Sequence, residues 1–194
     1  MSKEKILATI RQQNIRQDKL PSMPSFPGFG QDTAEVFVRN SAGNGSRVVY
    51  ASEFENISQA VQVLYPEAAT KVSAIESYSG NVELQQARQA AALATVDVAV
   101  LEGELAVAEN GAIWLNEDNY RPHRVLPFIC QHLLIVLPLS VIVSNMHEAY
   151  ERIDIRASGF GVFVAGPSKT ADIEQSLVIG AQGARSLTIL LEDR

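Results

Sequence analysis

The chain has 194 residues, 46% of them hydrophobic, with a formal net charge of −6. That size and apolar fraction suit one compact domain with a real core, and the acidic balance gives the chain no electrostatic reason to seek nucleic acid or an anionic membrane. The single cysteine, Cys130, excludes an intrachain disulfide and cannot alone hold an iron–sulfur cluster or a structural zinc.

Residues 2–16 place Ile6, Leu7, Ile10 and Ile15 on one face, with Lys and Gln around the rest. This is the pattern of an amphipathic helix, packed on the domain or free to dock a partner. The opening MSKEKILATIRQQ holds no apolar core of signal-peptide length. The longest apolar run, 133–143, is broken by Pro138 and Ser140 and is too short to span a bilayer. No transmembrane segment is expected, and the simplest location is cytoplasmic. Residues 20–30, LPSMPSFPGFG, read as an extended connector, since proline fixes φ and removes backbone donors. Residues 31–38 resume a helix or strand pattern, and 40–46, NSAGNGS, read as a loop. Residues 1–44 are thus expected to form a helix and a Pro/Gly-rich connector, and 45–194 an α/β domain.

From Arg47 strands and helices alternate. Strands are predicted at 48–50, 72–75 and 96–101, with helices at 54–64 and 82–94 between them. Residues 102–114 then alternate apolar and polar around Asn110-Gly111, the strongest short hairpin signal, because both residues tolerate positive φ. Residues 105–108 and 112–115 are expected to pair antiparallel. A polar loop follows at 116–124, then two short strands at 133–137 and 139–143, a helix at 145–153 and a closing strand at 187–191. The expected fold is α/β: a mainly parallel sheet with helices on both faces and an antiparallel hairpin near Asn110-Gly111.

Two stretches can carry chemistry. The first is GFGVFVAGPSKTADIE, 159–174. Val162, Phe163, Val164 and Ala165 form an apolar run expected of a strand covered on both faces. Gly166 and Pro167 end the run, and Ser168 or Thr170 is expected to cap a helix with Asp172 and Glu174 in its first turn. Such a turn lies at the carboxyl end of a strand, and its amide groups with Lys169 can hold an anion, or it is simply a well-capped strand–helix junction. It lacks phosphate-loop spacing. The second is Glu109, a carboxylate on a tight turn, able to act as nucleophile or base, or simply an ordinary turn residue. The histidines, His123, His132 and His147, show no metal-ligand spacing. His132 reads as a core histidine and His147-Glu148 as a helix surface pair, while Arg121, His123 and Arg124 read as a solvated loop or as contacts for a small anionic ligand or an acidic partner. Cys130, in an apolar setting, reads as a buried small hydrophobe.

The quartet Ala108-Glu109-Asn110-Gly111 is similar to the Ser-Glu-Asn-Gly box of class I coenzyme A transferases, whose glutamate forms a thioester with coenzyme A; Ala108 departs from it. A longer resemblance runs in order through Ala108-Glu109-Asn110-Gly111-Ala112-Ile113, Arg124-Val-Leu-Pro127, His132-Leu-Leu-Ile-Val136, Gly166-Pro-Ser-Lys-Thr-Ala-Asp-Ile-Glu174, Gly180-Ala-Gln-Gly183 and 187–191. Over about 45–194 the chain resembles the lactate-utilization protein C family, the LUD domain. It departs at Gln182, Gly183 and Ala184, where the family usually carries a His and a Gly-Pro pair, and at Asn110. The resemblance implies a fold like that of ribose-5-phosphate isomerase, glucosamine-6-phosphate deaminase and the coenzyme A transferases. It implies a role in a three-part system oxidising L-lactate to pyruvate, whose other two components carry iron–sulfur clusters. The first expectation drawn from it is a non-catalytic or accessory subunit that binds no cluster alone and works with cysteine-rich iron–sulfur partner subunits. A small carboxylate or organophosphate is expected between the Glu109 turn and the Gly166 turn, contacted by Gly111, Gly166, Ser168, Lys169, Thr170 and Asp172. The alternatives are a stand-alone acyl-coenzyme A transferase or sugar-phosphate isomerase using Glu109, and a small-molecule sensor.

Overall fold

The computed structural model describes residues 2–12, 21–84, 90–120, 122–154, 159–171 and 177–193. Its centre is a five-stranded parallel sheet in the order β1-β11-β6-β3-β2, made of Arg47–Tyr50, Ser186–Glu192, His132–Pro138, Val98–Glu102 and Lys71–Ser73. β6 and β11 read as continuous apolar runs because both faces of the sheet are covered. Leu133, Ile135, Leu137, Leu187 and Ile189 enter one buried cluster, while Leu134, Val136 and Leu190 enter another on the opposite face. The period-2 geometry of a strand makes that division.

α3 (Ile57–Leu64) covers the second face through Ala60 and Val61, both fully buried. Its start is set by Asn56, whose side chain accepts the Gln59 amide at 3.0 Å. The first face is covered by α2 (Thr33–Gly43), by α4 (Leu126–Ile129) and by a second sheet. This sheet has the order β7-β4-β5-β8: Ile142–Val143, Leu105–Val107, Ala112–Asn116 and Gly161–Val164. β4 and β5 form the expected hairpin, paired antiparallel with Leu105 opposite Trp114. The outer face of the second sheet packs Leu105, Val107, Trp114 and Val143 against Ala149 of α5 (Met146–Arg152). α1 (Lys3–Gln12) carries Ile6, Leu7 and Ile10 exposed. Among the described residues no helix is long and apolar enough to cross a membrane.

The structure corrects several local expectations. Residues 40–43 are not loop: α2 runs on to Gly43, with Phe37 and Ser41 fully buried. Tertiary contacts outweigh the weak helix propensity of Asn40 and Ser41. Pro138 ends β6, a 3-10 turn follows at Leu139–Val141, and β7 passes into the second sheet rather than extending the first. The helix expected at 82–94 falls partly outside the described residues; Val82 bridges to Val72, and Ala90–Leu93 is a single 3-10 turn. The largest correction concerns the run into Gly166. β8 is a half-buried strand that, among the described residues, lies at the edge of the second sheet and is bonded only to β5; it is not a strand covered on both faces. No helix begins at Ser168. Lys169–Ala171 is a strand, β9, paired antiparallel with β10 (Leu177–Ile179). Thr170 is paired with Val178, and the β-branched Thr170, Val178 and Ile179 suit such a ribbon.

Candidate functional site

The turn after β8 is built around two contacts. Gly166 has φ +80°, and a Cβ there would lie 2.4 Å from the Asn44 carbonyl oxygen, so both the backbone angle and the close approach demand glycine. The next turn of chain is bonded to the 180–184 segment: the Ser168 amide donates to the Ala184 carbonyl at 2.8 Å, and the Gly180 amide donates to the Ser168 carbonyl at 2.9 Å. Gly183 lies against Ser168, where a Cβ would come within 3.0 Å of the serine Cβ. The two glycine-bearing stretches singled out in the sequence are thus one structural unit. It sits beside the residues that lead into β11, at the amino ends of the parallel strands, not at a carboxyl end.

A cavity of about 300 Å3 opens under this unit, and Ser168, Lys169 and Gln182 bring polar groups to it. Phe128, Leu133, Phe163 and Leu187 supply much of its apolar wall. The anion cradle expected of a helix start is absent in that form, because the Ser168 amide is already taken. Lys169 Nζ donates to the Asn44 carbonyl, which orients it. Thr170 lies one residue further along β9, and Asp172 lies outside the described residues.

Glu109 and Gly111 sit on a four-residue hairpin loop closed by the Gly111 amide on the Val107 carbonyl at 2.9 Å. Gly111 has φ +66°. The loop is clamped by α2: Asn40 Nδ2 donates to the Ala108 and Glu109 carbonyls at 2.8 and 3.0 Å, and Asn44 Nδ2 donates to the Asn110 carbonyl at 2.7 Å. Glu109 is exposed, and its Oε1 accepts the Met146 amide at the start of α5 at 2.8 Å. The Glu109 turn lies outside the lining of the Gly166 cavity. Asn44 links the two, touching Asn110 on one side and Gly166 and Lys169 on the other. Sequence reading did not single out Asn40 and Asn44. Their i, i+4 spacing at the end of an apolar-faced segment is the one signal that could have marked a shared polar edge.

Of the remaining candidates, Cys130 is buried, and burial pushes its thiol up to about 12. His132 is half-buried, with Nδ1 2.8 Å from Ser186 Oγ. His147 is stacked on Phe26 of the connector at 3.9 Å between ring centroids. Arg124 is not simply solvated: it forms a two-pronged ion pair with the buried Glu117 and lies 5.7 Å from the Phe160 ring centroid. No local spacing signals that pair, whose partners are joined by the fold. Among the described residues no group of three or more His, Cys, Asp or Glu is placed to hold a metal ion.

The LUD domain family model matches residues 80–191, a stretch that contains both turns and the 180–184 segment. The chain belongs to the LUD domain family. It is 31% identical over 139 residues to lactate utilization protein C of Bacillus licheniformis and 30% identical over 139 residues to that of Bacillus subtilis, covering 67% of this chain and 54% of each relative. The chain therefore spans about half the length of the curated relatives it matches. A solved structure of a DUF162 family protein from Deinococcus radiodurans superposes with a TM-score of 0.65 at 16% identity, covering 83% of this chain and 96% of that one. At that identity the likeness speaks for the fold: a LUD domain built on a mainly parallel α/β sheet.

Proposed function

We propose that this LUD domain is an accessory, non-catalytic subunit of an iron–sulfur system that oxidises L-lactate to pyruvate in the cytoplasm. In this reading it holds a small carboxylate or organophosphate in the cavity under Gly166. The relatives named lactate utilization protein C support the pathway. The observation that carries the site is the bonding of the Gly166–Ser168 turn to the 180–184 segment over a cavity of about 300 Å3, a size at the small end of ligand pockets. Ser168 Oγ and the Gln182 amide offer hydrogen bonds there, Lys169 offers charge, and the apolar wall excludes water from the ligand's carbon skeleton. Cys130 does not fit a cluster ligand, since a metal takes the thiolate and burial holds this group as the thiol. In this reading the clusters belong to cysteine-rich partner subunits.

Calorimetric titration of the purified chain with L-lactate, pyruvate and ribose 5-phosphate tests the cavity. One of these is expected to bind and to lose affinity about tenfold in Lys169→Met, the loss of one charge-assisted hydrogen bond. If none binds, or if Ser168→Ala, Lys169→Met and Gln182→Leu all bind like the parent chain, the cavity is not the site.

A further inference from the structure

A second cavity, of about 560 Å3, lies where four strands of the parallel sheet begin. β1 contributes Arg47, β6 contributes His132, and β11 contributes Ser186 and Thr188. Arg185 precedes β11, Asp97 precedes β3, and the chain leaving α3 closes the opposite side with Leu64, Tyr65, Pro66 and Ala68. This cavity and the one under Gly166 lie on opposite faces of the β6–β11 pair: His132, Ser186 and Thr188 line one, and their neighbours Leu133 and Leu187 line the other.

The floor of this second cavity is organised by hydrogen bonds between side chains distant in sequence. Tyr65 Oη donates to Thr188 Oγ1 at 2.7 Å, His132 Nδ1 lies 2.8 Å from Ser186 Oγ, and the Tyr65 and His132 rings are 5.4 Å apart. Burial first, then the Arg185 charge, holds His132 below its ordinary 6.5. In the tautomer in which Nδ1 accepts from Ser186, Nε2 carries the proton and remains a donor. Two carboxylates also face the cavity. Asp97 Oδ2 accepts the Ala69 and Thr70 amides at 2.8 Å each, so that oxygen is committed, and Glu67 is exposed at the edge. Among the described residues neither Arg47 nor Arg185 has a salt bridge. Both arginines are exposed and both line this cavity, and the planar donor forks of their guanidiniums suit a carboxylate or phosphate there.

We propose that this cavity binds a small organic oxyanion, with its carboxylate or phosphate held by Arg47 and Arg185 beside His132 and its apolar body against Leu64, Pro66 and Ala68. The site is separate from the one under Gly166 and does not depend on it.

The test uses the full chain with benzoate, phenyl phosphate and inorganic phosphate as probes. Binding is read by calorimetry and by the His132 ring signals in NMR. Benzoate or phenyl phosphate is expected to shift the His132 signals saturably and to raise its pKa, because a nearby anion favours the imidazolium. Inorganic phosphate, lacking an apolar body, is expected to bind more weakly. Affinity read at the His132 signals is expected to fall about tenfold in Arg185→Met and in Arg47→Met, and to recover in part in Arg185→Lys. Which organic probe binds separates a carboxylate site from a phosphate site. The proposal is overturned if neither organic probe moves the His132 signals at millimolar concentration, if both arginine variants bind like the parent chain, or if Lys169→Met alone abolishes binding, which would put the ligand under Gly166 instead.

Discussion

At the scale of single residues, burial decides which groups are chemically available. Cys130 is 1% exposed, and its thiol is pushed up to about 12. Under native conditions it is expected to react with a thiol reagent such as DTNB only through opening of the fold, and at the rate of a free thiol once urea unfolds the chain. Native reaction as fast as in urea would contradict this. His132 makes the opposite kind of statement about pH. Desolvation, then Arg185, lowers its pKa in the folded chain, with Asp97 acting weakly the other way. Its contribution to stability is complete above the unfolded value of 6.5 and is lost as pH falls through the lower folded value. Urea unfolding at about pH 7.5 and about pH 5 is expected to show a smaller acid-induced loss in His132→Gln than in the parent chain. Equal losses would remove His132 from the account. The sequence marked Cys130 as buried from its apolar neighbours. It could not show Ser186 beside His132, because 54 residues separate the two and only the β6–β11 pairing joins them.

At the scale of elements, the hydrophobic period identified the strands of the parallel sheet and the Asn-Gly signal identified the hairpin, while its surroundings decided what the hairpin does. The polar run at 40–46 looked like a loop because Asn, Ser and Gly favour turns. In the fold these residues end α2 and clamp the β4–β5 loop. Asn40→Ala removes two hydrogen bonds at once and leaves the carbonyl of the fully buried Ala108 without this partner. The expected cost is about 1–3 kcal/mol, seen as a lower urea midpoint with an unchanged slope. A shift below a few tenths of a kcal/mol would show that the clamp is dispensable. Residues 168–171 failed as the start of a helix for a related reason, while the rest of that expected helix, with Asp172 and Glu174, lies outside the described residues. Ser168 and Thr170 are acceptable helix caps, and nothing local announces that the Ser168 amide will meet Ala184 instead. The pairing of β9 with β10 is a tertiary preference that a local reading of propensity does not see.

At the scale of the whole molecule, the alternation of strands and helices was enough to indicate a mainly parallel sheet. The second sheet was hidden. It is assembled from β7, β4, β5 and β8, and β8 carries the very run that the α/β rhythm assigned to the parallel sheet. That difference moves the Gly166 turn from a carboxyl end to the amino ends of β6 and β11, with one cavity on each face of that strand pair. The motif box was legible because it is a long, specific string, and the candidate cavity was not, because its walls come from β6, β8, β11 and α4 together. On the nearby β10, Leu177, Val178 and Ile179 are exposed.

The most direct measurement is anaerobic affinity purification of the tagged chain from its native cells grown on L-lactate, with the eluted chains identified and iron quantified. The account predicts that two cysteine-rich chains and iron elute with it, and that they are missing from the eluate of cells grown without lactate. Elution of the chain alone and free of iron, under conditions where the cells consume lactate, would contradict the accessory role.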